Sequence, residues 1–300
     1  MDEPAVDEAF FLPLGDDRWQ ATIHTTGPWD ARFQHGGPPA ALLARAVERC
    51  APREEMIVAR VTVEILGPVP VAEVEVRARV LRPGRSVELV EAVLSSGGRD
   101  AARAAAWRVT RTTQPGAPSR HEPAPPVPDL APPDLPVSDL AVSDLAVSDL
   151  GPSDVAAPHL PAPAPAALAP AAPVDGWVDG YLSAVEWRFV TGRFDRPGPA
   201  TVWSRLRYPL VPDEEPSALQ RVLSVADSGN GLSSELDLTA WHFINPELTV
   251  HLHREAVGPW VCVDAQTVIS PGGAGLATTV LHDVQGPVGV GAQSLLVAPR

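Results

Sequence analysis

Between Met56 and Arg111 the chain carries four long runs in which apolar and polar residues alternate: MIVARVTVEIL, VAEVEVRARVLR, SVELVEAVLSS and AARAAAWRVTR. A period of two is the signature of a half-buried strand, and the short breaks GPVP, PGR and GGRD leave room only for tight turns. Four such strands make an antiparallel meander. Val74, Val76 and Val80 fall on one face and Glu75, Arg77 and Arg79 on the other, so the sheet has one dry face and one wet face. The dry face has to be covered. The nearest cover is the stretch HGGPPAALLARAV, in which Gly36-Gly37 followed by Pro38-Pro39 signals a helix start. Alanines and leucines on several sides of Gly37–Val47 predict a helix enclosed by other structure. A sheet wrapped around one central helix follows, with AFFLPLG and RWQATIHTT before it as two short strands.

The second half repeats this plan. SAVEWRFVTG and ATVWSRLRYPL read as strands, with Trp187, Phe189 and Trp203 as core anchors. Residues 216–227 read as a helix, with Glu214 and Glu215 placed favourably beside its positive end. Strand patterns follow near 241–243, 248–253, 260–269, 276–283 and 288–297. VARVTVEILGPV aligns with NPELTVHLHREAV, and LRPGRSVELVEAVL with ISPGGAGLATTVLHD, which predicts an internal duplication. In that alignment Gln293 corresponds to about Ala105.

Between the halves, residues 114–173 are dominated by Pro and Ala, with Asp-Leu recurring every five residues across 128–155. Such a segment has few apolar side chains at packing periods and reads as a solvated, semi-stiff linker. The expected organisation is an N-terminal unit over 1–113, this linker, and a C-terminal unit over 174–300.

Composition narrows the function. A formal charge of −14 argues against a nucleic-acid partner. Cys50 and Cys262 are the only cysteines and form no metal-ligand pattern, which excludes a disulfide scaffold and fits a reducing cytoplasm. Cys262, inside WVCV, reads as a buried and inert thiol. No apolar run approaches the roughly 18 residues of a membrane helix, and MDEPAVDEAFFLP lacks the order of a signal peptide. A cytoplasmic protein is expected.

FQHGGPPAALLARAVE resembles the N-terminal helix of the acyl-CoA thioesterase II (TesB-like) family in its actinobacterial form. LSVADSGNG, NPELTVHLHR and DVQGPVGVGAQSLLV resemble that family's C-terminal half, in the same order and at similar spacings. The resemblance covers about residues 8–112 and 176–298. It implies a double hotdog fold of the α+β class, in which two antiparallel sheets each wrap a central helix to form one pseudo-symmetric unit. It also implies a thioester hydrolase of fatty-acid metabolism that acts on acyl-CoA or an acyl-carrier thioester without a cofactor, and a further homo-oligomer.

In that family an aspartate, a hydroxyl residue and a glutamine hold and activate a water. By position these fall on Asp227, Asn245 and Gln293, so an amide stands where the family has a hydroxyl. An amide still orients a water because it both donates and accepts. Thr249 is the substitute hydroxyl if the register differs, and on an unbroken strand it shares a side with Asn245. Gly36, Gly37, Gly229 and Thr249 are expected at the substrate, with backbone N–H groups at a helix end or glycine turn as oxyanion donors.

Other readings remain open at this level. Asp227 alone also fits a turn cap, Gln293 a buried-carbonyl partner, and His35 a structural turn residue. His251 and His253 would suit a hotdog hydratase or dehydratase, and Asn245 would also mark an acyl-CoA binder that has lost its chemistry. The first half carries no counterpart of Asp227, so one active site per chain is expected.

Overall fold

The chain opens with a hairpin of β1 (Phe11–Gly15) and β2 (Arg18–Ala21). Its turn passes through Asp16 and Asp17 at φ 52° and 58°, a left-handed pair that aspartate tolerates. Helix α1 (Gly37–Arg49) follows, with prolines in its first turn where no N–H is missed. The four alternating runs then form β3 (Met56–Ile65), β4 (Glu73–Arg82), β5 (Val87–Ser96) and β6 (Arg99–Thr110). Val74 and Val76 are buried against the helix side, as the alternation requires. This computed structural model describes residues 9–111, 164, 168–171, 179–237 and 240–300, all within one compact unit. The Asp-Leu repeat over 128–155 lies outside the described residues.

The second half lays down the same parts. A single turn α2 (Tyr181–Ala184) leads to β7 (Val185–Arg193) and β8 (Arg196–Leu206). Helix α3 (Ala218–Ala226) and the turn α4 (Gly229–Leu232) precede β9 (Trp241–Ile244) and β10 (Glu247–Leu252). The chain ends with β11 (Val261–Ile269), β12 (Ala274–Asp283) and β13 (Gly286–Pro299). Trp187 and Trp203 are buried as expected, and Phe189 is half-buried against the core.

Among the described residues the strands form one antiparallel sheet in the order β1-β2-β4-β5-β6-β3-β10-β13-β12-β11-β8-β7, with β9 also on β13. The two sheets therefore meet edge to edge through β3 and β10. Thr62 lies opposite Thr249, their hydroxyls 3.1 Å apart. Pairing reads outward symmetrically from there: Val63 with Leu248, Val61 with Val250, Glu64 with Glu247, Arg60 with His251. A pseudo-twofold axis passes between the two threonines. It also corrects the internal alignment by one residue. Ala105 faces Thr62 as Ala292 faces Thr249, so the counterpart of Gln293 is Ala106. Because neighbours alternate faces, that single step moves the position to the buried, helix-facing side, where both residues are wholly inaccessible.

Helix α1 is apolar nearly all round, and its few polar groups are matched. Arg45 donates to Glu214 at 2.9 and 2.6 Å and lies over the Trp19 ring. Glu214 thus serves α1 from the other half rather than the start of α3, which is capped by the Ser217 hydroxyl accepting from the Gln220 N–H at 3.1 Å. At the far end of α1, buried Arg108 donates to the carbonyls of Val47, Cys50 and Ala51 and to Glu88. That guanidinium satisfies carbonyls a helix end leaves unbonded.

Gly37 sits where α1 meets α3, and a Cβ there would lie 2.1 Å from the Ser224 carbonyl oxygen. Neither helix backbone can yield that distance locally. Gly37→Ala should therefore cost about 1–3 kcal/mol in urea unfolding. Gly67→Ala, which adds a methyl into open space, should leave the midpoint unchanged.

Candidate active site

Helix α3 ends at Asp227, which retains helical backbone angles and directs a buried carboxylate towards the start of α1. This carboxylate caps no backbone N–H among the described residues. Its Oδ1 instead accepts from two side-chain amides, Asn245 Nδ2 at 2.8 Å and Gln293 Nε2 at 3.3 Å. Its Oδ2 receives no hydrogen bond from the described residues and lies 3.6 Å from His35 Nδ1. One oxygen is thus held and the other is free to accept a proton.

Gln293 is fully buried on the helix side of β13. Besides Oδ1, its amide donates to the Asp227 carbonyl at 3.1 Å, and its Oε1 accepts from the Asn230 N–H at 3.1 Å. It therefore fixes both the carboxylate and the turn that follows it. Asn245 comes from the short link between β9 and β10, where Pro246 interrupts the pattern. The stretch is two strands, as expected, so the condition under which Asn245 and Thr249 would share a side is not met. Thr249 points to the outer face of the sheet, bonded to Thr62 and Glu247, and does not reach Asp227. His251 is exposed and paired in register with Arg60 on that same outer face, so the strand brings no histidine to Asp227.

The histidine that does reach Asp227 comes from the first half. His35 is stacked on the Tyr181 ring at 3.9 Å and 10°, and its Nδ1 accepts from the Gly37 N–H at 3.0 Å. An accepting Nδ1 puts the ring proton on Nε2. Burial pushes the imidazole below its ordinary pKa, and the charge of Asp227 offsets part of that. Tyr181 is itself fixed by its hydroxyl, which donates to the Ser224 carbonyl at 2.8 Å and contacts Ser228 Oγ at 2.9 Å. No motif in the sequence announces this contact, because His35 and Asp227 meet only when α1 packs on α3. The HGG triplet was the one available signal.

The glycines divide. A Cβ at Gly36 would lie 2.4 Å from Asp227 Oδ2, so Gly36 is the surface against which the carboxylate rests, and it also lines the cavity. Gly37 packs against α3, and Gly229 packs against Thr279 and Gln293 behind the cavity. The start of α1 offers few donors: the Gly37 N–H is taken by His35, and Pro38 and Pro39 have none. Its dipole still favours an anion at Asp227.

A cavity of about 220 Å³ opens in front of these groups. His35, Gly36, Asp227 and Asn245 supply its polar wall, and Ile65, Leu182, Phe194 and Phe243 its apolar wall. An apolar cleft with a few convergent polar groups suits a small, largely hydrophobic ligand. Cys262 is buried in β11, and burial raises its thiol pKa far above the ordinary value, as expected of an inert cysteine. Among the described residues no cluster of metal ligands occurs, and no helix is long and apolar enough to cross a membrane.

Fold and cleft together define a hotdog protein with a largely apolar cleft beside a buried carboxylate. Two family models match: the acyl-CoA thioesterase N-terminal domain over residues 25–109 and the acyl-CoA thioesterase C-terminal domain over residues 146–297. The chain belongs to the acyl-CoA thioesterase family and is a thioester hydrolase. It is similar in fold to a candidate thioesterase II from Thermobifida fusca YX (TM-score 0.65, 18% identity, 97% of this chain and 96% of that one). A hot dog fold protein of Alicyclobacillus acidocaldarius is similar at TM-score 0.64 and 14% identity, covering 97% of both chains. The acyl-CoA thioesterase II TesB2 from Mycobacterium marinum is similar at TM-score 0.56 and 13% identity, covering 97% and 95%. No curated protein matches by sequence.

A neutral His35 beside Asp227 has a consequence for pH. Its pKa lies below 6.5, so the neutral ring persists through that pH and is lost only as the solution becomes more acidic. The acid limb of kcat/KM that depends on this histidine should therefore fall below pH 6.5, and should shift in His35→Gln. A pH profile with a histidine-dependent limb at or above 6.5 would count against the neutral assignment.

Proposed function

We propose that the chain hydrolyses acyl-CoA thioesters with Asp227 as general base to a bound water, Asn245 and Gln293 as its positioning amides, and His35 as a donor to the carbonyl oxygen. One observation carries this reading. The two amides hold Oδ1, while Oδ2 is left open beside the cavity. A carboxylate fixed at one oxygen has a defined direction for the proton it accepts at the other, which is what a general base requires.

The step follows from these positions. The water oxygen attacks the thioester carbonyl carbon as Asp227 Oδ2 takes its proton. Negative charge develops on the former carbonyl oxygen, and in this reading the Nε2–H of a neutral His35 donates to it. The C–S bond then breaks, and the leaving thiolate takes the proton back from Asp227. Thioesters are activated acyl donors, so neither a metal nor a covalent nucleophile is required. The apolar wall of Ile65, Phe194 and Phe243 would receive the acyl chain and exclude bulk water.

Thiol release from a panel of short- to long-chain acyl-CoA substrates tests the assignment. Asp227→Asn keeps the shape and removes the base, and should lower kcat/KM by about 10²–10⁴-fold. Asn245→Ala should cost up to about 10²-fold through misorientation, mainly in kcat. Full hydrolysis by Asp227→Asn would sink the proposal. Intact binding of acyl-CoA with no turnover by the wild type would instead make this chain a binder.

A further inference from the structure

The axis between Thr62 and Thr249 relates the candidate active site to a second cavity at the other end of the helix pair. This cavity, of about 250 Å³, matches the first in size and lies where the end of α1 meets the start of α3. Its strand-borne wall is the register counterpart of that of the first. Met56 and Ile57 pair with Thr110 and Val109 of β6 as Phe243 and Ile244 pair with Val297 and Leu296 of β13. Val58 then stands in the place of Asn245, and Leu252 in the place of Ile65.

The carboxylates correspond too. Asp227, at the end of α3, rests on Gly36 at the start of α1. Glu48, in the last turn of α1, meets Ser217 at the start of α3, and accepts from the Ser217 hydroxyl at 2.7 Å and from Gln220 Nε2 at 2.8 Å. Burial raises its pKa, with those two hydrogen bonds opposing. The groups that hold the carboxylates differ. Val58 replaces Asn245 and Ala106 replaces Gln293, so no amide pair holds a carboxylate for proton transfer. The arginines that line the cavity are all engaged: Arg53 with Glu55, Arg108 with Glu88, and Arg111 with Glu255. The cavity's apolar wall of Met56, Ile57, Val58, Leu219, Val222 and Leu252 suits an acyl portion, while the carboxylates Glu48, Glu54 and Glu255 among its other lining residues, with those arginines already paired, disfavour a free anion.

We propose that this second cavity binds an acyl thioester of the same class as the first and does not hydrolyse it. The proposal rests on the acyl-thioester reading of the first cavity. A short-chain acyl-CoA thioether, which cannot be hydrolysed, serves as the probe in equilibrium titration. The wild type should bind two equivalents per chain, and Ile57→Trp, which fills the second cavity, should bind one and still hydrolyse substrate. A version of the probe with a diazirine at the acyl terminus should label wild-type peptides that contain residues 56–58 as well as 243–245. That second measurement needs no variant to fold. One equivalent in the wild type, or label at 243–245 alone, would overturn the second site and leave the first reading intact. Label at neither position would overturn both.

Discussion

The close approach of α1 to α3 is the constraint on which the site depends. Gly36 and Gly37 remove the two side chains that would hold the helices apart, and the Ser224 carbonyl and the Asp227 carboxylate occupy that space. The contact does three things at once. It buries Asp227 against the positive end of a long helix, brings His35 within 3.6 Å of Oδ2, and lets the Gly37 N–H set the histidine tautomer. A glycine pair that reads from sequence as a helix start at the substrate is thus first a packing device, and the electrostatics of the cleft follow from it.

The sheet carries the same logic on a larger scale. β3 and β10 lie side by side at its centre, with the pairing symmetric about two threonines. Each half therefore completes the other's sheet, and each helix covers part of the other. Arg45 to Glu214, Glu48 to Ser217 and Arg111 to Glu255 all bridge the halves. Most of the polar groups that α1 presents are satisfied only when both halves are folded.

What was legible in the sequence was what local periodicity encodes. The alternation of the meanders, the Gly-Gly-Pro-Pro helix start and the repeated TV and PG signals gave the strands, both helices and the duplication. The order of Asp227, Asn245 and Gln293 led to three side chains that meet in space. Features set by contact between distant segments were not legible. His35 is separated from Asp227 by most of the chain, and Glu214 finds Arg45 only across the helix pair. Thr249, the substitute for Asn245 on an unbroken strand, faces away because Pro246 breaks the strand, and strand parity does not carry across a break. The counterpart of Gln293 was displaced by one residue because an alternating pattern of small apolar residues such as AARAAAW does not fix its own register; the ladder of hydrogen bonds does.

The pseudo-twofold axis has an evolutionary consequence. In a symmetric dimer of single hotdog chains every substitution appears at both ends of the helix pair, so neither end can change without the other. Once both copies lie on one polypeptide, the codons for Asn245 and Val58, or for Gln293 and Ala106, mutate independently. Selection can then maintain hydrolysis at one end while the other drifts towards a different task, and the two cavities become separate traits of one gene.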